Sequence, residues 1–121
     1  MRSSESWGIG EFRDLRPLSV WMREAGLSLL QLLPLNDMAA EQNSPYSALS
    51  SAALEPLFIA PGAIPAFAAA GGEAALPAEA REALDAARRA SPIDVDAVRA
   101  AKRAAFEIAW EASRGAASEA F

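Results

Sequence analysis

The stretch Leu27-Ser28-Leu29-Leu30-Gln31-Leu32-Leu33 decides how this chain folds at its front. Gly26 precedes it and Pro34 closes it, and the span between these two breakers is too short for a separate helix. A short apolar run of that kind reads as a buried parallel strand, although leucine is not the strongest strand former. Just upstream, Leu15, Leu18, Trp21, Met22 and Ala25 recur at helical spacing and form one apolar face. Asp14 stands as the N-cap of that helix, Pro17 lies in its first turn, and Gly26 stops it. Helix, glycine turn and apolar strand make the αβ half of a βαβ unit, so the expected fold class is α/β.

Downstream of the run, residues 34–51 form a long polar loop containing Asn36, Asp37, Asn43, Ser44, Pro45, Tyr46 and several serines. In parallel α/β folds the loop after a strand lies at the carboxyl edge of the sheet, where ligands bind. Leu57-Phe58-Ile59-Ala60, between Pro56 and Pro61, reads as a short edge strand. Residues 61–72 are a connection rich in Pro, Gly and Ala, with one helical turn at 66–70. Two helices follow. The first covers residues 77–90, with Glu79 and Glu82 early, Arg88 and Arg89 late, and an apolar stripe of Leu76, Ala80, Ala83, Leu84 and Ala87. The second runs from Asp94 to Arg114 with Gly115 as its C-cap, carrying Val95, Val98, Ala101, Ala105, Ile108 and Ala112 on one face and Phe106 and Trp110 beside it.

Composition narrows the chemistry. The 121 residues contain neither cysteine nor histidine, which excludes a disulfide framework, a self-contained Ser-His-Asp or Cys-His triad, and every site built on cysteine or histidine metal ligands. The net charge is −5 with both signs interspersed, so no basic patch tracks a phosphate backbone and nucleic acid is not an expected partner. No stretch approaches the roughly 20 apolar residues of a membrane span, so a cytoplasmic location and no membrane partner are expected. Gly8-Ile9-Gly10 is not a dinucleotide fingerprint, because no strand precedes it and no third glycine opens the helix. Glu11 and Asp14 read as capping and solvated acids, and no cofactor or metal is implied. Trp21 and Trp110 read as packing residues, whereas Trp7, in a loop, stays open to either role.

The order of the motifs is more specific than any one of them. Ser6-Trp7-Gly8-Ile9-Gly10-Glu11-Phe12, then Asp14-Leu15, then Ala25-Gly26, then Leu30-Gln31-Leu32-Leu33-Pro34-Leu35-Asn36-Asp37, then Ser44-Pro45-Tyr46-Ser47 resembles the N-terminal part of the amylomaltases. These are the 4-α-glucanotransferases of glycoside hydrolase family 77. Leu54-Glu55-Pro56-Leu57-Phe58-Ile59 resembles the segment that follows in that family, and Ile93-Asp94-Val95-Asp96 leading to Lys102 resembles the start of its next long helix.

The resemblance implies a partial (β/α)₈ barrel, early strands and helices at residues 1–60, followed by a helical segment at 61–121. A complete barrel needs about 250 residues, so the chain is expected to be a fragment. The resemblance also implies transfer of α-1,4-glucan segments between maltooligosaccharides by a retaining route, through three carboxylates on later barrel strands. None of those three matches an Asp or Glu of this sequence, and the chain alone is expected to be inactive. The residues it carries over are Ser44 and Tyr46, lining the sugar cleft, and Asn36 and Asp37 at the strand end beneath them. Without the resemblance, Ser44-Pro45-Tyr46 is also a plain turn and Asn36-Asp37 a turn initiator. A small non-enzymatic helical interaction module and a carbohydrate-binding remnant are the competing readings.

Overall fold

The computed structural model describes residues 2–39, 44 and 46–119. Four α-helices organise them: α1 (Leu15–Glu24), α2 (Pro65–Ala69), α3 (Ala78–Arg89) and α4 (Val95–Glu119). Short 3₁₀ turns at Phe12–Asp14, Pro56–Phe58, Pro61–Ala63 and Gly72–Ala75 join them. None of these helices is long and apolar enough to cross a membrane.

The rear of the molecule follows the helical patterns closely. Leu76, just ahead of α3, and Ala80, Leu84 and Ala87 within it are buried, and this face packs on α4 through Ala101, Ala105 and Ala109. Small side chains on both helices allow close approach of the backbones, so even alanine is fully excluded from water here. Asp94 starts α4 by accepting from the Ala97 N–H at 3.0 Å. The helix does not stop at Gly115 as expected but continues to Glu119. A glycine inside a helix weakens it by only about 1 kcal/mol, which does not compel a terminus.

The N-terminal loop is built into this helical core. Trp7 is buried against Phe67 of α2, edge to face at 5.9 Å, so its open role resolves as packing. Gly8 beside it has φ +85°, and a Cβ there would lie 2.7 Å from the carbonyl oxygen of Ala87. Only glycine lets this loop lie directly on α3. Asp14 caps differently from expectation. Its carboxylate turns back to accept from the Glu11 N–H at 2.8 Å and the Ser3 hydroxyl at 2.6 Å, closing the 3₁₀ turn ahead of α1.

The front departs from the α/β expectation. α1 forms where its periodicity places it, and Met22 is buried, but Trp21 is 58% exposed and is not core. The leucine run after it makes no strand ladder, and Leu27, Leu29, Leu30, Leu32 and Leu33 are all exposed, Leu29 by 83%. Among the described residues there is no strand, only the isolated antiparallel bridges Asn36↔Leu54 and Met38↔Ala48. The physical reason is that a strand is defined by the neighbour that takes its N–H and C=O groups, and no described segment forms a ladder with this run. Residues 57–60 are likewise not an edge strand. Pro56–Phe58 is a 3₁₀ turn, started by Glu55, whose side chain accepts from the Leu57 N–H.

Candidate functional site

The loop of residues 34–51 folds back on the segment after it. Asp37 N–H donates to Ala53 O at 3.0 Å, Leu49 N–H to Asp37 O at 2.8 Å, and Glu55 N–H to Leu35 O at 2.9 Å. The buried Glu55 carboxylate fastens the same loop, accepting from Met38 N–H at 3.0 Å as well as from Leu57 N–H at 3.2 Å. Glu55 thus ties residue 38 to the turn that passes under α4.

Beneath that turn lies a buried ion pair. Lys102 Nζ donates to Glu11 Oε1 at 2.6 Å, to Leu57 O at 2.6 Å and to Ile59 O at 2.7 Å, so all three ammonium donors are used. Glu11 Oε1 also accepts from the Trp7 N–H at 3.2 Å. Burial pushes the Lys102 ammonium below its ordinary pKa; the hydrogen bond and charge of Glu11, and the charge of Asp14, work in the opposite direction. Glu11 is therefore neither a cap exposed to solvent nor a free acid. One lysine joins the N-terminal loop, the turn after Glu55 and α4.

Two cavities flank this pair. The first, about 480 Å³, lies between α1 and the leucine run and is lined by Leu15, Leu18, Leu30, Leu32, Met38 and Phe58 among others. Its wall is almost wholly apolar. The second, about 610 Å³, lies between the loop and α4. Asp37, Glu55 and Leu57 line it on the loop side, and Arg99, Lys102, Arg103, Phe106 and Trp110 on the helix side. These α4 residues recur at helical spacing and form one stripe. Trp110 is 64% exposed there, so it is not the packing residue that the sequence implied.

The four sequence-nominated residues are not gathered at one point. Asp37 is half-buried in the wall of the second cavity. Asn36 uses its side-chain amide to bond Ser51 O at 3.0 Å, bracing the loop. Ser44 is half-buried and accepts through its carbonyl from the Ser47 N–H at 3.0 Å. Tyr46 is 74% exposed, and neither it nor Ser44 lines either of the two cavities. Pro45 and Asn43, on the same stretch, fall outside the described residues.

The sequence profile of the 4-alpha-glucanotransferases, glycoside hydrolase family 77, matches residues 1–121. The chain belongs to that family. It is 49% identical over 65 residues to a 4-alpha-glucanotransferase of Chlamydia pneumoniae, covering 54% of this chain and 12% of that protein. A 4-alpha-glucanotransferase of Chlamydia caviae is 43% identical over 65 residues, with the same coverage of 54% and 12%. One from Oryza sativa subsp. japonica is 44% identical over 63 residues, 49% of this chain and 7% of that protein. The chain thus aligns with about an eighth or less of the length of these relatives.

Within the family frame, three residues have surroundings that the sequence reading did not assign to them. Lys102 sits among Val98, Ala101 and Ala105 on the buried face of α4, and a lysine on such a face demands a carboxylate partner. Glu55 precedes Pro56 at the start of a turn, the position of a capping acid. Trp110, near Phe106 on α4, carried no signal, because an exposed and a packed tryptophan look alike in sequence.

Proposed function

We propose that this chain forms part of the sugar-binding wall of a 4-alpha-glucanotransferase acting on maltooligosaccharides in the cytoplasm. In the whole enzyme residues 1–60 begin the catalytic barrel and 61–121 form a helical segment outside it. Asn36, Asp37, Ser44 and Tyr46 contribute to the cleft. Tyr46 offers an aromatic ring to the apolar face of a glucose unit, and Asp37 and Ser44 bond sugar hydroxyls. Asn36 holds the loop that carries them.

The reaction is a retaining double displacement. A carboxylate attacks the anomeric carbon while a carboxylic acid protonates the departing glycosidic oxygen; the 4-hydroxyl of an acceptor sugar then displaces the enzyme, returning its proton to the same acid–base group. The three carboxylates of that chemistry lie outside residues 1–121. In support, the buried acids here are already committed: Glu11 to Lys102, Asp14 to Ser3 and the Glu11 amide, and Glu55 to two backbone amides.

The observation that carries the reading is family membership across the full chain, joined to the wide exposure of Tyr46 on its own loop. The test is incubation of the purified chain with maltotriose, followed for glucose and longer oligomers and for binding. No turnover is expected, together with maltotriose binding that Tyr46→Ala weakens by about fivefold. Turnover would place the catalytic acids inside this chain, and unchanged binding in Tyr46→Ala would remove the loop from the site.

A further inference from the structure

Glu55 is longer than the place it occupies requires. The start of a helical turn favours Ser, Thr, Asp or Asn, whose short side chains reach an amide two or three positions on. Glu55 fills that role ahead of the Pro56–Phe58 turn, where its Oε1 accepts from the Leu57 N–H at 3.2 Å. Its second oxygen makes a bond that capping does not need. Oε2 crosses to the loop and accepts from the Met38 N–H at 3.0 Å, a residue 17 positions away. Glu55 is only 4% exposed, and burying a carboxylate is costly unless its oxygens are hydrogen-bonded.

The same residue holds the loop on the other side of Asn36-Asp37. The Glu55 N–H donates to Leu35 O at 2.9 Å, so its main chain fixes residue 35 while its side chain fixes residue 38. Asp37 between them adds its own N–H to Ala53 O at 3.0 Å. The dipeptide cannot slide along the segment opposite without breaking one of these bonds. The other end of the clamp is anchored too. Leu57, whose N–H meets Oε1, gives its carbonyl to Lys102 Nζ at 2.6 Å, and Lys102 is 1% exposed on α4. One carboxylate thereby refers the place of Asn36 and Asp37 to the buried face of α4.

We propose that Glu55 is a positioning residue for glucan binding: it touches no sugar, and it sets the place of Asp37, which does. The proposal rests on the reading of Asp37 and its loop as part of the sugar cleft. Glutamate suits the task because a shorter acid reaches Leu57 but not Met38 while its main chain stays bonded to Leu35.

Two variants of the full chain separate this role from plain capping. Glu55→Ala removes both side-chain bonds, whereas Glu55→Asp keeps a capping acid at the turn and falls short of Met38. Each is followed by thermal unfolding, amide hydrogen exchange and calorimetric titration with maltotriose. Aspartate is expected to recover the melting temperature lost in the alanine variant. It should still leave the Met38 amide exchanging about tenfold faster than in the wild-type chain, with the amides of α3 and α4 unchanged. The maltotriose Kd should rise about fivefold in both variants. If Glu55→Asp restores Met38 protection and the wild-type Kd, Glu55 is a cap alone and the proposal fails. A released Met38 amide with an unchanged Kd overturns it as well, since the place of the loop would then not matter to the sugar. Failure of the wild-type chain to bind maltotriose overturns the cleft reading itself, and the positioning role with it.

Discussion

Alanines at the rear of this molecule are buried more completely than leucines at its front. Ala87, Ala101 and Ala105 are 0% exposed, whereas every leucine from Leu27 to Leu33 is exposed. Hydropathy alone would order these residues the other way. The difference teaches that burial depends on having a matching surface: α3 and α4 offer each other complementary stripes, whereas the leucine run faces an open cavity rather than a packed partner. Burying one such leucine contributes about 1.5–3 kcal/mol, so the front holds unrealised stabilisation that a covering element would recover.

The contrast can be broken most forcefully at the residue that joins the two regions. Lys102→Ala leaves Glu11 charged and buried without its partner, and a loss of about 4 kcal/mol in unfolding free energy is expected from urea denaturation. Loss below about 1 kcal/mol would mean that Glu11 reaches solvent, and that the N-terminal loop is not part of the core. Leu84→Ala, in the α3–α4 interface, should remove about 3 kcal/mol by opening a cavity. Gly8→Ala should cost about 2 kcal/mol in the same assay, through its positive φ and the approach of Ala87. At the other end of the scale, Leu29→Lys should change stability by no more than about 0.5 kcal/mol, because its side chain is already in water. Its effect belongs instead to association: light scattering should show slower aggregation than in the wild-type chain, since a charge blunts an unpaired apolar segment. A large destabilisation by Leu29→Lys would show that the run is covered in solution and would erase the contrast.

Much of the helical architecture could be read directly. Periodicity located α3 and α4 because each buries one face and solvates the other; it located α1 as well, although Met22 is the one residue that helix buries, and the single turn near residue 66 was visible from its Pro and Ala content. The strand expected at Leu27–Leu33 is absent among the described residues, because pairing is a property of two segments and periodicity describes one. Of the candidate site, Asp37 was legible as a polar residue on a long loop, and it does line a cavity. Asn36 was legible only as a residue type; its side chain is occupied by Ser51, which no spacing rule reveals.

By itself the sequence determined the helical segments and the family, since both rest on local order: side-chain spacing within a helix, and motif succession along the chain. Only the tertiary structure decided which apolar residues are covered. It brought Glu11 to Lys102 across ninety-one positions and turned Trp110 and Asp37 toward one cavity. The reason is that an ion pair or a binding wall is made of groups distant in sequence, whose meeting depends on how whole helices and loops settle against one another.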